Sequence, residues 1–245
     1  MDFNFLMDTF GKLLAVVPTT LGLFALSMLL GAFISLIIVV MRVSPYTGLV
    51  QFAKAYVLVF RGSPLLIQMF LVYYGLGQFD AVRESAFWLV LQSPYMCAVL
   101  TMALCTAAYT AEIIRGGLLA VPRGHVEAGL AIGMSRFTLT RRVIAPVALR
   151  SCLPAYSTEA VLMVKSTALA SLVTVLEVTG VAQQIIQRTY RTMEVFLCAA
   201  AIYLILNFVL LQAFGMLEKK LSPHKRKRPS AGRPISAACC PEPQI

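Results

Sequence analysis

Charge is what this sequence has least of. Only 13% of its 245 residues are Asp, Glu, Lys or Arg, against about a quarter in a soluble domain, and that deficit names lipid as its main solvent. Acidic residues are the scarcer sign, 11 against 21 basic. Histidine occurs twice, as His125 and His224, too far apart for a metal motif, and no nucleophile elbow is present. These gaps argue against a membrane-embedded enzyme. No G-x-x-x-x-G-K-[ST] run exists either, so this chain lacks the loop that cradles nucleotide phosphates. The six cysteines have no metal-ligand spacing. Cys97, Cys105 and Cys198 fall in apolar runs, Cys152 falls near a membrane boundary, and the adjacent Cys239 and Cys240 lie in the tail.

What is abundant is apolar surface: 59% of residues are hydrophobic and the mean hydropathy is +0.79. Four runs, residues 13–41, 62–79, 85–111 and 195–217, contain no charged residue, and about 18 such residues can cross the hydrocarbon as a helix. A fifth, about 151–176, is interrupted only by Glu159 and Lys165. An all-α integral membrane protein with about five spans is expected. The first run follows Asp2 and Asp8 rather than a basic start, so it is expected to remain as a span rather than to be cleaved. An odd number of spans puts the termini on opposite sides. Sixteen basic residues, among them Arg42, Lys54, Arg61 and the six arginines from Arg115 to Arg150, group with the C-terminal tail, against four on the other side. The positive-inside rule then places the amino terminus outside, in the periplasm, and the carboxyl terminus in the cytoplasm. Residues 1–221 would form the membrane domain and 222–245 a basic, disordered tail. The net charge of +10 is thereby topological, and no nucleic-acid partner is implied; membrane lipid is the expected surrounding.

Three local readings follow. Residues 42–61 carry an apolar face, Leu49, Phe52, Ala53, Tyr56, Val57 and Phe60, that suits a helix lying along the inner membrane surface. In "RGSPLL", Ser63 and Pro64 read as a helix start. Between the third and fourth spans, Gly116 and Gly117 are expected to break or bend a helix, and Pro122 to open a short one. Gly133 would end it in a left-handed conformation, Ser135 would cap a second, and Pro146 would kink that one. Arg123 is four residues before Glu127 and expected to pair with it. A bent helix pair with a charged rim, about residues 122–150, has the form of a docking element.

Within that element, "EAGLAIGMSRFTLTRRVIAP" resembles the cytoplasmic loop signature of permease subunits of bacterial binding-protein-dependent ABC importers: Glu-Ala-Ala, three residues, Gly, nine residues, then Ile-x-Leu-Pro. Glu127, Ala128, Gly133 and Pro146 are in register, while Gly129, Val143 and Ala145 depart from it. "FRGSPLLIQMFLVYYGL", "AYTAEIIRGGLLAVPRGHVEAG" and "MVKSTALAS" resemble the polar amino acid and opine subfamily, closest to octopine and nopaline permeases and next to histidine and arginine permeases. The resemblance implies a type I ABC importer permease fold in the bacterial inner membrane. It also implies an ATPase dimer, which holds the ATP and docks on the Glu127 to Pro146 loop, a second homologous permease chain, a periplasmic solute-binding protein, and an opine or basic amino acid as solute. This chain itself would bind no cofactor.

Glu159 and Lys165 are the charges in the fourth run, and charge at membrane depth marks a bundle interior or a wet cavity. A carboxylate holds a guanidinium through two parallel hydrogen bonds, so Glu159 is expected to meet the cationic end of such a solute. Lys165 stands about 240° around the helix from Glu159 and is expected to pair elsewhere or line the pathway. Tyr73, with Tyr74 and Tyr109, is a further pathway candidate. Glu112 and Arg115 read as a structural or gating pair. The competing reading is a secondary transporter using Glu159 as its ion or proton site, which five spans without an obvious repeat do not favour.

Overall fold

The computed structural model describes residues 2–85 and 88–221. The tail, with Cys239 and Cys240, lies outside the described residues. Among those described, helix is the only regular structure. In chain order they form α1 (Phe3–Ala15), α2 (Val17–Val43), α3 (Thr47–Gly62), α4 (Leu65–Phe70), α5 (Asp80–Arg83), α6 (Trp88–Leu91), α7 (Pro94–Leu119), α8 (Arg123–Ala131), α9 (Arg136–Leu139), α10 (Ala145–Ser166), α11 (Val178–Thr189) and α12 (Thr192–Leu221). Wider π turns follow α4 and α9, and tighter 3-10 turns occupy Leu76–Gln78 and Thr167–Val173.

Three helical segments are long and apolar enough to cross a bilayer: α1 with α2, α7, and α12. Two bent pairs raise the number to as many as five, α3 with α4 and its following turns at 104°, and α9 to Val173 with α11 at 48°. The helix expected over 85–111 starts later, because Ser93 and Pro94 supply its capping and first positions, and it runs to Leu119.

α7 is the central element, packed against α2, α3 and α10. Gly116 and Gly117 do not break it. Gly117 instead lets α10 approach, since a Cβ there would lie 2.1 Å from Cys152 Sγ and 2.8 Å from the Ala148 carbonyl oxygen. Small residues permit such close contact between membrane helices. Gly117→Val is expected to cost about 3 kcal/mol or more, because backbone rather than a flexible side chain must yield. A thermal-melt series on the detergent-extracted chain checks this, and an unchanged midpoint would refute the close-contact role.

α3 also departs from expectation. Its small face, Ala53 and Val57, packs on Ile38 of α2 and on Ala108 and Ala111 of α7, and Tyr56 Oη donates to the Leu104 carbonyl at 2.7 Å. The helix therefore climbs beside α7 to its middle rather than lying on the surface. The turn at Ser63 and Pro64 leaves the last carbonyls of α3 without helical donors. Gln68, buried, supplies them: its Nε2 reaches the Phe60 and Ser63 carbonyl oxygens, each at 3.0 Å. Pro64 is the capping residue and not the first helical one, and Ser63 Oγ donates back to Val59.

Candidate functional site

Two regions gather the residues of interest, one at the α8–α9 end of the bundle and one in its middle. At the first, α7 passes through Pro122 into α8. Gly133 ends α8 with φ +76°, and Ser135 Oγ caps α9 by accepting from the Thr138 amide at 3.3 Å. A π turn, Thr140–Ile144, leads into α10, whose first turn holds Pro146. The helix runs through this π turn without a break, so Pro146 brings no amide hydrogen to the ladder at the point where the wider turn has already opened it. Pro154 lies inside α10, a position membrane helices tolerate.

Glu127 and Ala128 are exposed on α8. Glu127 and Arg123 border a hollow of about 210 Å³ whose floor is Leu118, Val121, Val126 and Ile144. The expected Arg123–Glu127 pair does not form: neither residue is among the ion pairs of the described residues. Both rim charges are left to face outward. Gly129, a departure from the loop signature, has its reason in packing, for a Cβ there would fall 2.4 Å from Leu139 Cδ1. Leu139 is buried and locks α8 against the following turn.

The second region is a cavity of about 430 Å³ between the α3–α4 corner, α7 and α10, lined by Arg61, Gly62, Ser63, Pro64, Leu65, Cys105, Tyr109, Glu159, Leu162, Met163 and Ser166. Glu159 lies eight residues into the apolar run that begins at Ser151, about 12 Å along the axis at 1.5 Å per residue, near the middle of a hydrocarbon core about 30 Å thick. Only 7% of Glu159 is exposed, and Thr106 Oγ1 donates to its Oε1 at 3.0 Å. Arg61 stacks on Tyr109, its guanidinium carbon 5.1 Å from the ring centroid. Arg61 and Glu159 line one cavity without forming an ion pair with each other. The cavity thus carries a cation on one wall and a carboxylate on another, and charge at membrane depth marks a bundle interior or a wet cavity.

Arg61, read from sequence only as a topology charge, is the cavity residue that sequence reasoning missed. The signal available was its place at a helix corner, one residue before Gly62 and three before Pro64. Tyr109 lies in the cavity, whereas Lys165 and Tyr73 do not. Lys165 is exposed near the far end of α10 and forms no ion pair among the described residues. Tyr73 is half-buried, its hydroxyl 3.4 Å from Thr174 Oγ1. Glu112 and Arg115 do pair, at 2.8 Å, and Arg42 of α2 joins them at 2.5 Å, tying two helices together between Tyr109 and the α8 end of α7.

Comparison with known proteins gives the family. Residues 34–223 match the family model described as binding-protein-dependent transport system inner membrane component. The octopine transport system permease protein OccM of Rhizobium radiobacter is 49% identical over 96% of both chains. The nopaline transport system permease protein NocM of Agrobacterium fabrum is 47% identical over 97% of this chain and 99% of its own. A solved structure of an amino acid ABC transporter with histidines superposes with a TM-score of 0.80 at 30% identity, covering 90% of this chain and 99% of that one. A self-powered secondary transporter is thereby set aside, and so is an enzyme. The chain belongs to the family of binding-protein-dependent transport system inner membrane components and is a permease subunit of an ABC importer.

Proposed function

We propose that this chain forms one half of the pathway for an arginine-derived opine, octopine or nopaline, or a related basic amino acid. The observation that carries the reading is the mid-membrane cavity in which Arg61 and Glu159 stand unpaired with each other. Glu159 takes the cationic end of the solute through charge-assisted hydrogen bonds, and Arg61 takes a carboxylate. The solutes in the names of the relatives carry both kinds of group. Lys165 and Tyr73 lie on the side of Glu159 away from the α8–α10 loop and would meet the solute before it reaches the cavity.

The membrane domain spans residues 1–221, with the amino terminus periplasmic and the carboxyl terminus cytoplasmic. A second homologous permease chain closes the open side of the cavity, and a periplasmic solute-binding protein loads it. The ATPase dimer docks on the loop of Glu127, Ala128, Gly133 and Pro146. Closure of the ATPases would push the exposed α8 against the base of α10, the helix that carries Glu159.

The test is to tag this chain in its native membrane, extract it gently, and identify what co-purifies with the wild type and with Glu127→Arg. An ATPase and a second permease are expected with the wild type. The variant is expected to lose the ATPase, because the reversed charge sits at the rim of the docking hollow. Recovery of this chain alone, able to move octopine, nopaline or L-arginine in vesicles without ATP, would overturn the reading.

A further inference from the structure

Glu159 is held from behind by a device that runs through three helices. Thr106, on α7, is fully buried. Its hydroxyl donates to Glu159 Oε1 at 3.0 Å and also lies 3.8 Å from Met28 Sδ of α2, while its methyl is seated against Gly31 of the same helix. A Cβ on Gly31 would lie 2.1 Å from that Thr106 Cγ2 and 3.0 Å from the Ala103 carbonyl oxygen. The hollow left by Gly31 is thus filled by the threonine methyl.

A β-branched side chain has few open χ1 states. Seating the methyl in the Gly31 notch therefore sets where the hydroxyl points. A serine in its place could turn its hydroxyl toward the helix carbonyls, as Ser and Thr in helices commonly do.

We propose that Gly31 and Thr106 together are positioning residues for solute recognition: the glycine notch fixes the threonine rotamer, and its hydroxyl orients the Glu159 carboxylate toward a cationic solute. The inference rests on the cavity reading given above. Thr106 has no place in the cavity lining, so it acts through Glu159 and touches no solute. The same bond compensates part of the desolvation of a buried carboxylate, which keeps Glu159 available as an acceptor for the solute.

The experiment is equilibrium binding of labelled solute to the purified permease–ATPase complex in nanodiscs, using whichever of octopine, nopaline and L-arginine the wild type transports. Thr106→Val keeps the shape and removes the donor. It is expected to raise Kd by about tenfold or more, the effect of losing a hydrogen bond to a charged group. Thr106→Ser keeps the donor without the methyl and is expected to stay within about threefold of wild type, since only the rotamer restraint is lost. Gly31→Ala displaces the threonine methyl and is expected to weaken binding, while the double variant Gly31→Ala with Thr106→Ser, which leaves only the 3.0 Å approach to the Ala103 carbonyl oxygen to be eased, is expected to recover most of the way to the Thr106→Ser value.

Wild-type binding by Thr106→Val, alongside lost binding by Glu159→Gln, would overturn the positioning role while leaving the cavity reading in place. Wild-type binding by Glu159→Gln would instead remove the cavity reading itself. If Thr106→Val fails to assemble, the Gly31 pair decides: a double variant no better than Gly31→Ala would overturn the proposal.

Discussion

Glu159→Gln is expected to lower uptake of the cationic solute by about tenfold or more, with the complex still assembled. The substitution preserves size and retains an oxygen that Thr106 can still address. What it removes is the negative charge, and a hydrogen bond to a charged group contributes about 1.5–3 kcal/mol where a neutral one contributes about 1. In a space at membrane depth the difference falls at the upper end, because little water is present to screen it. A bidentate carboxylate–guanidinium contact also becomes a single amide contact. ATP-driven uptake into proteoliposomes, with saturating loaded binding protein, measures the effect. Co-purification of the ATPase, unchanged from wild type, separates a solute effect from an assembly effect. Undiminished uptake would take Glu159 out of the solute path.

The second large effect is expected at Glu177, which the sequence reading left without a role. Glu177 is completely buried at the junction between the 3-10 turn and α11. Its carboxylate caps α11, accepting from the Gly180 amide at 2.9 Å, and also accepts from Tyr203 Oη of α12 at 2.7 Å. The neighbouring Val178 amide donates to Thr20 Oγ1 of α2 at 3.3 Å. Three helices therefore meet at this junction, two of them on the carboxylate itself. Glu177→Ala removes a helix cap, at about 1 kcal/mol, leaves the buried Gly180 amide without its acceptor, at about 1–3 kcal/mol, and leaves Tyr203 Oη to Thr179 Oγ1, 3.1 Å away. These terms share partners and do not add in full, so a loss of about 3 kcal/mol is expected. Glu177→Gln keeps one acceptor and is expected to fall between alanine and wild type. Melting midpoints of the purified complex give the order. Equal midpoints for wild type and Glu177→Ala would show that the junction is held elsewhere.

How legible each element was depended on the range of the interaction behind it. Gly133 and Ser135 were readable because a left-handed helix end and a side-chain cap are decided within four residues. Gly117 was misread for the same reason: locally a glycine loosens a helix, but here its missing Cβ admits the backbone of α10. The apolar face of α3 was visible, yet a lipid surface and a helix partner demand the same periodicity. Only the small size of Ala53 and Val57, matched to Ala108 and Ala111, decides for a helix. Arg61 looked like one more inside arginine because depth depends on the tilt of α3, which no local pattern encodes.

By itself the sequence determined the solvent, the helical class, the ordered bend between α8 and α9 and the likeness to importer permeases. Each of these follows from composition or from contacts a few residues long. Tertiary structure alone decided that the chain turns through 104° between α3 and α4, that Arg61 and Glu159, ninety-eight positions apart, line one cavity, and that Gly31 and Thr106 stand behind the carboxylate. The physical reason is packing: in lipid, where apolar burial cannot choose among helix partners, close approach of small residues and hydrogen bonds between helices make the choice. Those depend on which helices meet, and only the folded chain specifies that.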